Sequence, residues 1–244
     1  MLSLFKPTLI LVGITIMLST TTAHAFDFKS LFKRAGINKE SSLASSPMGP
    51  AVKEALKVSV DRTINALSQK GGYANNSQIN IKMPAQLKIL DTTLRRIGLG
   101  AQVDAFTQSM NTAAEKATPL ARDIFIDAIA EMSINDAQKI ISGSNTAATQ
   151  YLDETSRAQL KAKFEPIILA SMSKNQVIAR YQGLLDKFKQ NPLMSRIPMP
   201  RIEPYVANKG LDGLFYTIAQ EEVKIRSNPA ARTTDLLKQV FTQK

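Results

Sequence analysis

From Pro50 onward the apolar residues fall at helical spacing. Val52, Ala55, Leu56, Val60, Ile64 and Leu67 follow a period of 3.6, which sets them on one face of a helix. Pro50 suits the first turn, where no backbone donor is needed, and Gly71-Gly72 stops the helix. The period then changes. Ile79, Ile81 and Met83 alternate with Gln78, Asn80 and Lys82, the spacing of a strand. One strand cannot close a sheet, so the expectation is a short extended segment, or a hairpin with Tyr73-Ala74, within residues 73–83. Pro84 reopens the helical pattern through Leu87, Leu90 and Leu94 to Gly98.

A long helix is predicted over residues 101–132. Phe106, Met110, Ala113, Ala117, Leu120, Ile124, Ala128 and Met132 form its apolar stripe. Asp104, Gln108, Asn111, Glu115, Thr118 and Arg122 form a polar stripe on another face. Pro119 lacks a backbone donor and should kink or split this helix near Glu115. Two later junctions share one layout, Met132-Ser133-Ile134-Asn135-Asp136 and Met172-Ser173-Lys174-Asn175-Gln176. In each, Ser is the N-cap and the acid or amide three residues on closes a capping box. Further helices are expected over 145–153, over 156–172 with a break at Pro166, and over 173–190. A proline-rich loop over 191–200 follows, then a helix over 202–226. Asn228-Pro229 opens a last helix to about residue 243. The pattern predicts an all-α fold, a single domain of about eight to ten helices over residues 50–244.

The N-terminus carries a different signal. Lys6, the apolar run Leu9 to Leu18, and Ala23-His24-Ala25 have the order of a secretory signal peptide cleaved after Ala25. The run is short of the roughly 20 residues of a membrane span. Residues 26–49, with Phe26, Phe28, Leu31 and Phe32 among basic residues and a Ser-rich stretch after them, read as a linker or tether. The expected location is the periplasm, with no transmembrane span in the mature chain.

Composition narrows the chemistry. The chain has no Cys, and its single His is His24, inside the segment to be removed. Imidazole and thiol chemistry, and metal sites of the usual nitrogen and sulfur type, are therefore closed to the mature chain, and no cofactor or metal is expected. The formal charge of +11 is unevenly spread. Residues 26–100 carry +7, residues 101–155 carry −5, residues 156–201 carry +7 and residues 202–244 carry +1, with Lys6 supplying the last charge. Either the basic and acidic segments neutralise one another, or Arg157, Lys161, Lys163, Lys174, Arg180 and Lys187 project as an anion-binding face. Anionic lipid, lipopolysaccharide or an envelope protein would then be the partner. Nucleic acid is not expected, since no recognition module is present.

Carboxylates are the acid–base groups that remain. Asp123, Asp127 and Glu131 share one helix face, most simply a solvated one. The candidate polar cluster, ligand-binding or structural, comprises Asn111 and Glu115 of the polar stripe with Glu221, Glu222, Arg226 and Arg232. Glu222 and Arg226 have the i, i+4 order that favours an ion pair.

Four ordered blocks carry a resemblance. They are Gly71-Gly72-Tyr73 with Ile79-Asn80-Ile81 and Pro84; Asn111 to Glu115 with Pro119; Ile124-Phe125 through Ala147 to Tyr151; and Tyr205-Val206, Gly213-Leu214-Phe215, Glu221-Glu222, Ile225-Arg226 and Pro229 to Thr234. Over residues 50–241 the chain resembles the exported bacterial family known as domain of unknown function 4197. Thr112, Leu152 and Thr242 depart from the pattern. The resemblance implies a helical exported protein and no particular activity. The expected function is a non-enzymatic binding or interaction role at the cell envelope; the alternative is a carboxylate-dependent hydrolase of envelope glycans.

Overall fold

The computed structural model describes residues 48–173, 179, 181–183, 185–186 and 201–228. All of them belong to one compact unit, Lys39–Lys244. The described residues form α-helices, two 3-10 turns and connecting loops, with no strand among them. The helices are α1 (Met48–Leu67), α2 (Lys88–Arg96), α3 (Gly100–Ala117), α4 (Ala121–Glu131), α5 (Ile134–Ser142), α6 (Ala147–Ser173) and α7 (Ile202–Ser227). The expected signal peptide, the tether up to residue 47, the proline-rich loop and the last helix lie outside the described residues.

Two long helices organise the core. α7 packs on α6, α1 and α3, and α6 packs also on α3 and α4. The apolar stripe of α1 is buried as its period requires, from Val52 through Leu56, Val60 and Ile64 to Leu67. Phe125 and Phe164 are fully buried, each worth about 1.5–3 kcal/mol relative to exposure. Phe125 meets Phe215 of α7 edge to face, with centroids 5.6 Å apart. Tyr181 stacks on Phe106 at 4.2 Å. No described helix is long and apolar enough to cross a membrane.

Proline and serine act at different strengths in this chain. Pro119 divides the long helix as expected. The 3-10 turn Thr118–Leu120 separates α3 from α4, just beyond Glu115, whose carbonyl a proline four residues on would crowd. Pro166, by contrast, sits inside α6 without ending it, and the expected gap between residues 153 and 156 is also helical. The hydroxyls of Thr155 and Ser156 donate to the carbonyls of Tyr151 and Leu152 one turn back. That back-bonding satisfies both hydroxyls within the helix. Ser133 does cap α5. Its hydroxyl accepts from the Asp136 N–H at 3.1 Å while the Asp136 carboxylate accepts from the Ser133 N–H at 3.2 Å. The matching Ser173 is itself helical, within α6, and Lys174 to Gln176 of that junction lie outside the described residues.

Candidate functional site

The polar stripe of the long helix is buried at its centre. Asn111 is 3% exposed, Glu115 4% and Thr118 0%. The cause is the segment after α1, which folds over this face. Gly71 turns the chain with φ +86°, a left-handed conformation that glycine adopts without strain. The turn aims two backbone donors inward, and Glu115 Oε1 accepts both, from Gly71 N at 3.0 Å and Tyr73 N at 3.3 Å. Ten residues on, the period-two segment reaches Asn111. The Asn111 amide accepts from Ile81 N at 2.8 Å and donates to Ile81 O at 2.9 Å. One side chain thus serves Ile81 as a neighbouring strand would. Ile79 and Ile81 point into the core and Lys82 points out, as the alternation requires. Residues 77–79 form a turn, with Ile79 N and Asn80 N donating to Asn76 O. Residues 80–84 follow without regular structure and make no hairpin, because the partner of Ile81 is an amide on a helix.

Tyr73 is fully buried beneath this segment. Its hydroxyl donates to Gly210 O of α7 at 2.8 Å and lies 3.4 Å from Thr118 Oγ1. Burial pushes the phenol pKa well above its ordinary value; the nearby Thr118 hydroxyl opposes this and the Glu115 charge adds to it. α7 passes close by. A Cβ on Gly213 would stand 2.9 Å from the Tyr73 ring and 3.1 Å from Ile79.

Glu222 forms the second buried carboxylate site, 5% exposed. It reaches from α7 to the start of α6, where the first backbone N–H groups have no partner within their own helix. Its two oxygens accept from Ala148 N at 3.1 Å, Thr149 N at 2.9 Å and the Thr149 hydroxyl at 2.7 Å. The position is that of an anion at a helix N-terminus, and here the anion is the protein's own. Arg226 completes it, donating to Glu222 at 2.8 Å and to the Ile140 carbonyl in α5 at 3.1 Å. The pair therefore ties α7 to the ends of α5 and α6. Leaving such buried donors without an acceptor costs about 1–3 kcal/mol each.

Glu221 faces elsewhere. It pairs with Lys224 at 2.6 Å and stands 3.6 Å from Arg62 of α1. Asn111 and Glu115 therefore form one centre, Glu222 and Arg226 another, and Arg232 lies outside the described residues. Asp123, Asp127 and Glu131 are exposed. No group of acidic residues suited to a metal ion occurs among the described residues.

The two accounts of the charge distribution meet at Arg157. Its guanidinium bonds Asp153 and Asp212 and lies 4.9 Å over the Phe215 ring. The Asp153 hydrogen bond is the main reason its pKa rises. Arg95 pairs in the same way with Asp91 and Asp104, and Arg122 with Asp61. Basic and acidic segments thus neutralise one another at Arg157–Asp153 and Arg95–Asp104, while Arg122–Asp61 joins a base of the acidic segment to an acid of a basic one. Lys161 is half-buried and Lys163 exposed, and neither forms an ion pair among the described residues. Lys174, Arg180 and Lys187 lie outside the described residues.

One concavity was not foreseen. The segment 77–82 and α7 enclose an open groove of about 450 Å³. Tyr205 and Tyr216 line it, with Gln78, Asn80, Lys209 and Asp212 as polar neighbours. Tyr205 Oη donates to Lys82 O at 2.9 Å and ties the two walls. Asn80 Oδ1 is buried and has no hydrogen-bond partner. Tyr205 and Asn80 belong to the sequence blocks noted above, but they lie 125 residues apart and nothing in the pattern joins them.

A protein-family model described as a protein of unknown function, DUF4197, matches residues 42–242. No match is found among curated proteins or among solved structures.

Proposed function

The chain belongs to the DUF4197 family, and from that premise we propose that it is an exported, non-enzymatic binding protein of the cell envelope. One observation carries the choice against hydrolysis. Both buried carboxylates, Glu115 and Glu222, are engaged with the chain's own backbone donors, and Glu222 with Arg226 as well. A glycoside hydrolase needs two carboxyl groups flanking its substrate, one of them able to give up a proton. Glu115 Oε1 and both Glu222 oxygens are occupied by the chain's own donors, and both side chains are buried, so neither carboxyl group is presented to flank a glycan. The signal-like residues 1–25 and the basic surplus of the sequence support the envelope as the place of action, with anionic lipid, lipopolysaccharide or an envelope protein as partner.

The reading is tested by incubating the chain lacking residues 1–25 with purified peptidoglycan and with lipopolysaccharide. Chromatography of the soluble fraction then looks for released fragments. No release is expected. Fragments whose release is lost in Glu222→Gln or Glu115→Ala would establish the hydrolase instead.

A further inference from the structure

We propose that the groove between segment 77–82 and α7 is a saccharide-binding site; this deepens the binding reading above and rests on it. Its size, about 450 Å³, lies within the roughly 300–1,000 Å³ of small-molecule sites. Its lining mixes hydrogen-bonding side chains and tyrosines rather than forming a continuous apolar wall. A lipid chain would press apolar surface on the unpaired Asn80 and on the Lys209–Asp212 ion pair, and stripping water from such groups is unfavourable. A phosphate group would need an excess of cations, but of the two lysines at the groove, Lys209 pairs with Asp212 at 3.4 Å. A sugar matches both halves of the lining. Its hydroxyls donate and accept along the ring edge, and its C–H faces pack on aromatic rings.

Two residues single out this chemistry. Asn80 lines the groove with its Oδ1 turned in and unpaired, and a rotation of the side-chain amide brings this acceptor to a ligand hydroxyl or amide N–H. Tyr216 is 41% exposed at the groove, one of the few large hydrophobic side chains left open to solvent among the described residues. The walls are built in advance. Asn111 fixes Ile81, Glu115 fixes Tyr73, and Tyr205 holds Lys82. Little ordering remains to oppose binding.

The test uses the chain lacking residues 1–25 and a panel of soluble trisaccharides: the N-acetylglucosamine trimer, maltotriose and the galacturonic acid trimer. Saturation-transfer NMR and calorimetry read binding. At least one trisaccharide should bind with a Kd of about 1 mM or tighter. Tyr216→Ala and Asn80→Leu should each weaken it about tenfold or more. Tyr216→Ala is the decisive variant, since its half-exposed ring leaves the melting temperature within about 2 °C of the parent. No binding by any of the three at about 10 mM, or binding indifferent to Tyr216→Ala, overturns the site. The sugar recovered intact supports both readings, while cleaved sugar keeps the groove and overturns the non-enzymatic reading. Binding to vesicles of anionic lipid with none to the sugars overturns the groove and leaves the broader reading standing.

Discussion

Single residues in this protein do work that larger elements usually do. Asn111 replaces a strand for Ile81, Glu115 serves as the acceptor for a glycine turn, and Glu222 caps a helix it does not belong to. The residue types were legible in the sequence, since Asn111, Glu115, Glu222 and Arg226 all stood out as a polar cluster. The Glu222–Arg226 pair was legible too, from its i, i+4 spacing, but the other partners were not, because those bonds span from 30 to 86 residues and follow from tertiary placement alone. Tyr73 supplies the prediction at this scale. Burial holds its phenol neutral, with a folded pKa raised above the unfolded value of about 10. Its contribution is therefore complete below about pH 10 and is lost as pH rises beyond it, because the unfolded chain releases the proton first. Urea unfolding between about pH 9 and 11 should show falling stability, and Tyr73→Phe should show a shallower fall. An equal slope in both proteins would mean that the phenol is not held neutral by the fold.

At the scale of elements, α1, α7 and the α5 cap are where their patterns place them. Periodicity fixes which face of a helix is buried, and capping chemistry is local. The continuity of α6 was not legible, since a proline on an outward turn bends the odds without deciding them, and packing on α7, α3 and α4 decides instead. The approach of α7 to the loop over α3 depends on Gly213. Tyr73 is held at its backbone by Glu115 and at its hydroxyl by Gly210, so it has no cheap way to yield to an added methyl group. Gly213→Ala should lose about 1–3 kcal/mol by overpacking. Gly183→Ala, in a helical position with nothing within 4 Å, should be neutral or slightly stabilising. Thermal melts of the two variants measure the difference. A Gly213→Ala protein as stable as Gly183→Ala would show that the approach is not tight.

For the molecule as a whole, the all-α class follows from the dominance of one period along the chain, and the structure agrees over the described residues. The groove was invisible to sequence reasoning for a physical reason: concavity belongs to two surfaces brought together, and neither surface is unusual alone. The central claim is that the buried carboxylates hold the fold and do not perform chemistry. Catalytic carboxylates sit in environments that oppose them, and removing one commonly leaves stability unchanged or raises it. A structural carboxylate behaves in the opposite way. Glu115→Ala strands the donors of Gly71 and Tyr73, and Glu222→Gln turns an amide NH2 toward donors at the start of α6 or toward Arg226. The most direct measurement is equilibrium urea unfolding of both variants and of the double variant. Each single change should lose about 1–3 kcal/mol, and the losses should add to within about 0.5 kcal/mol, since the two sites share no partner. Either single variant equalling or exceeding the parent in stability would contradict the account.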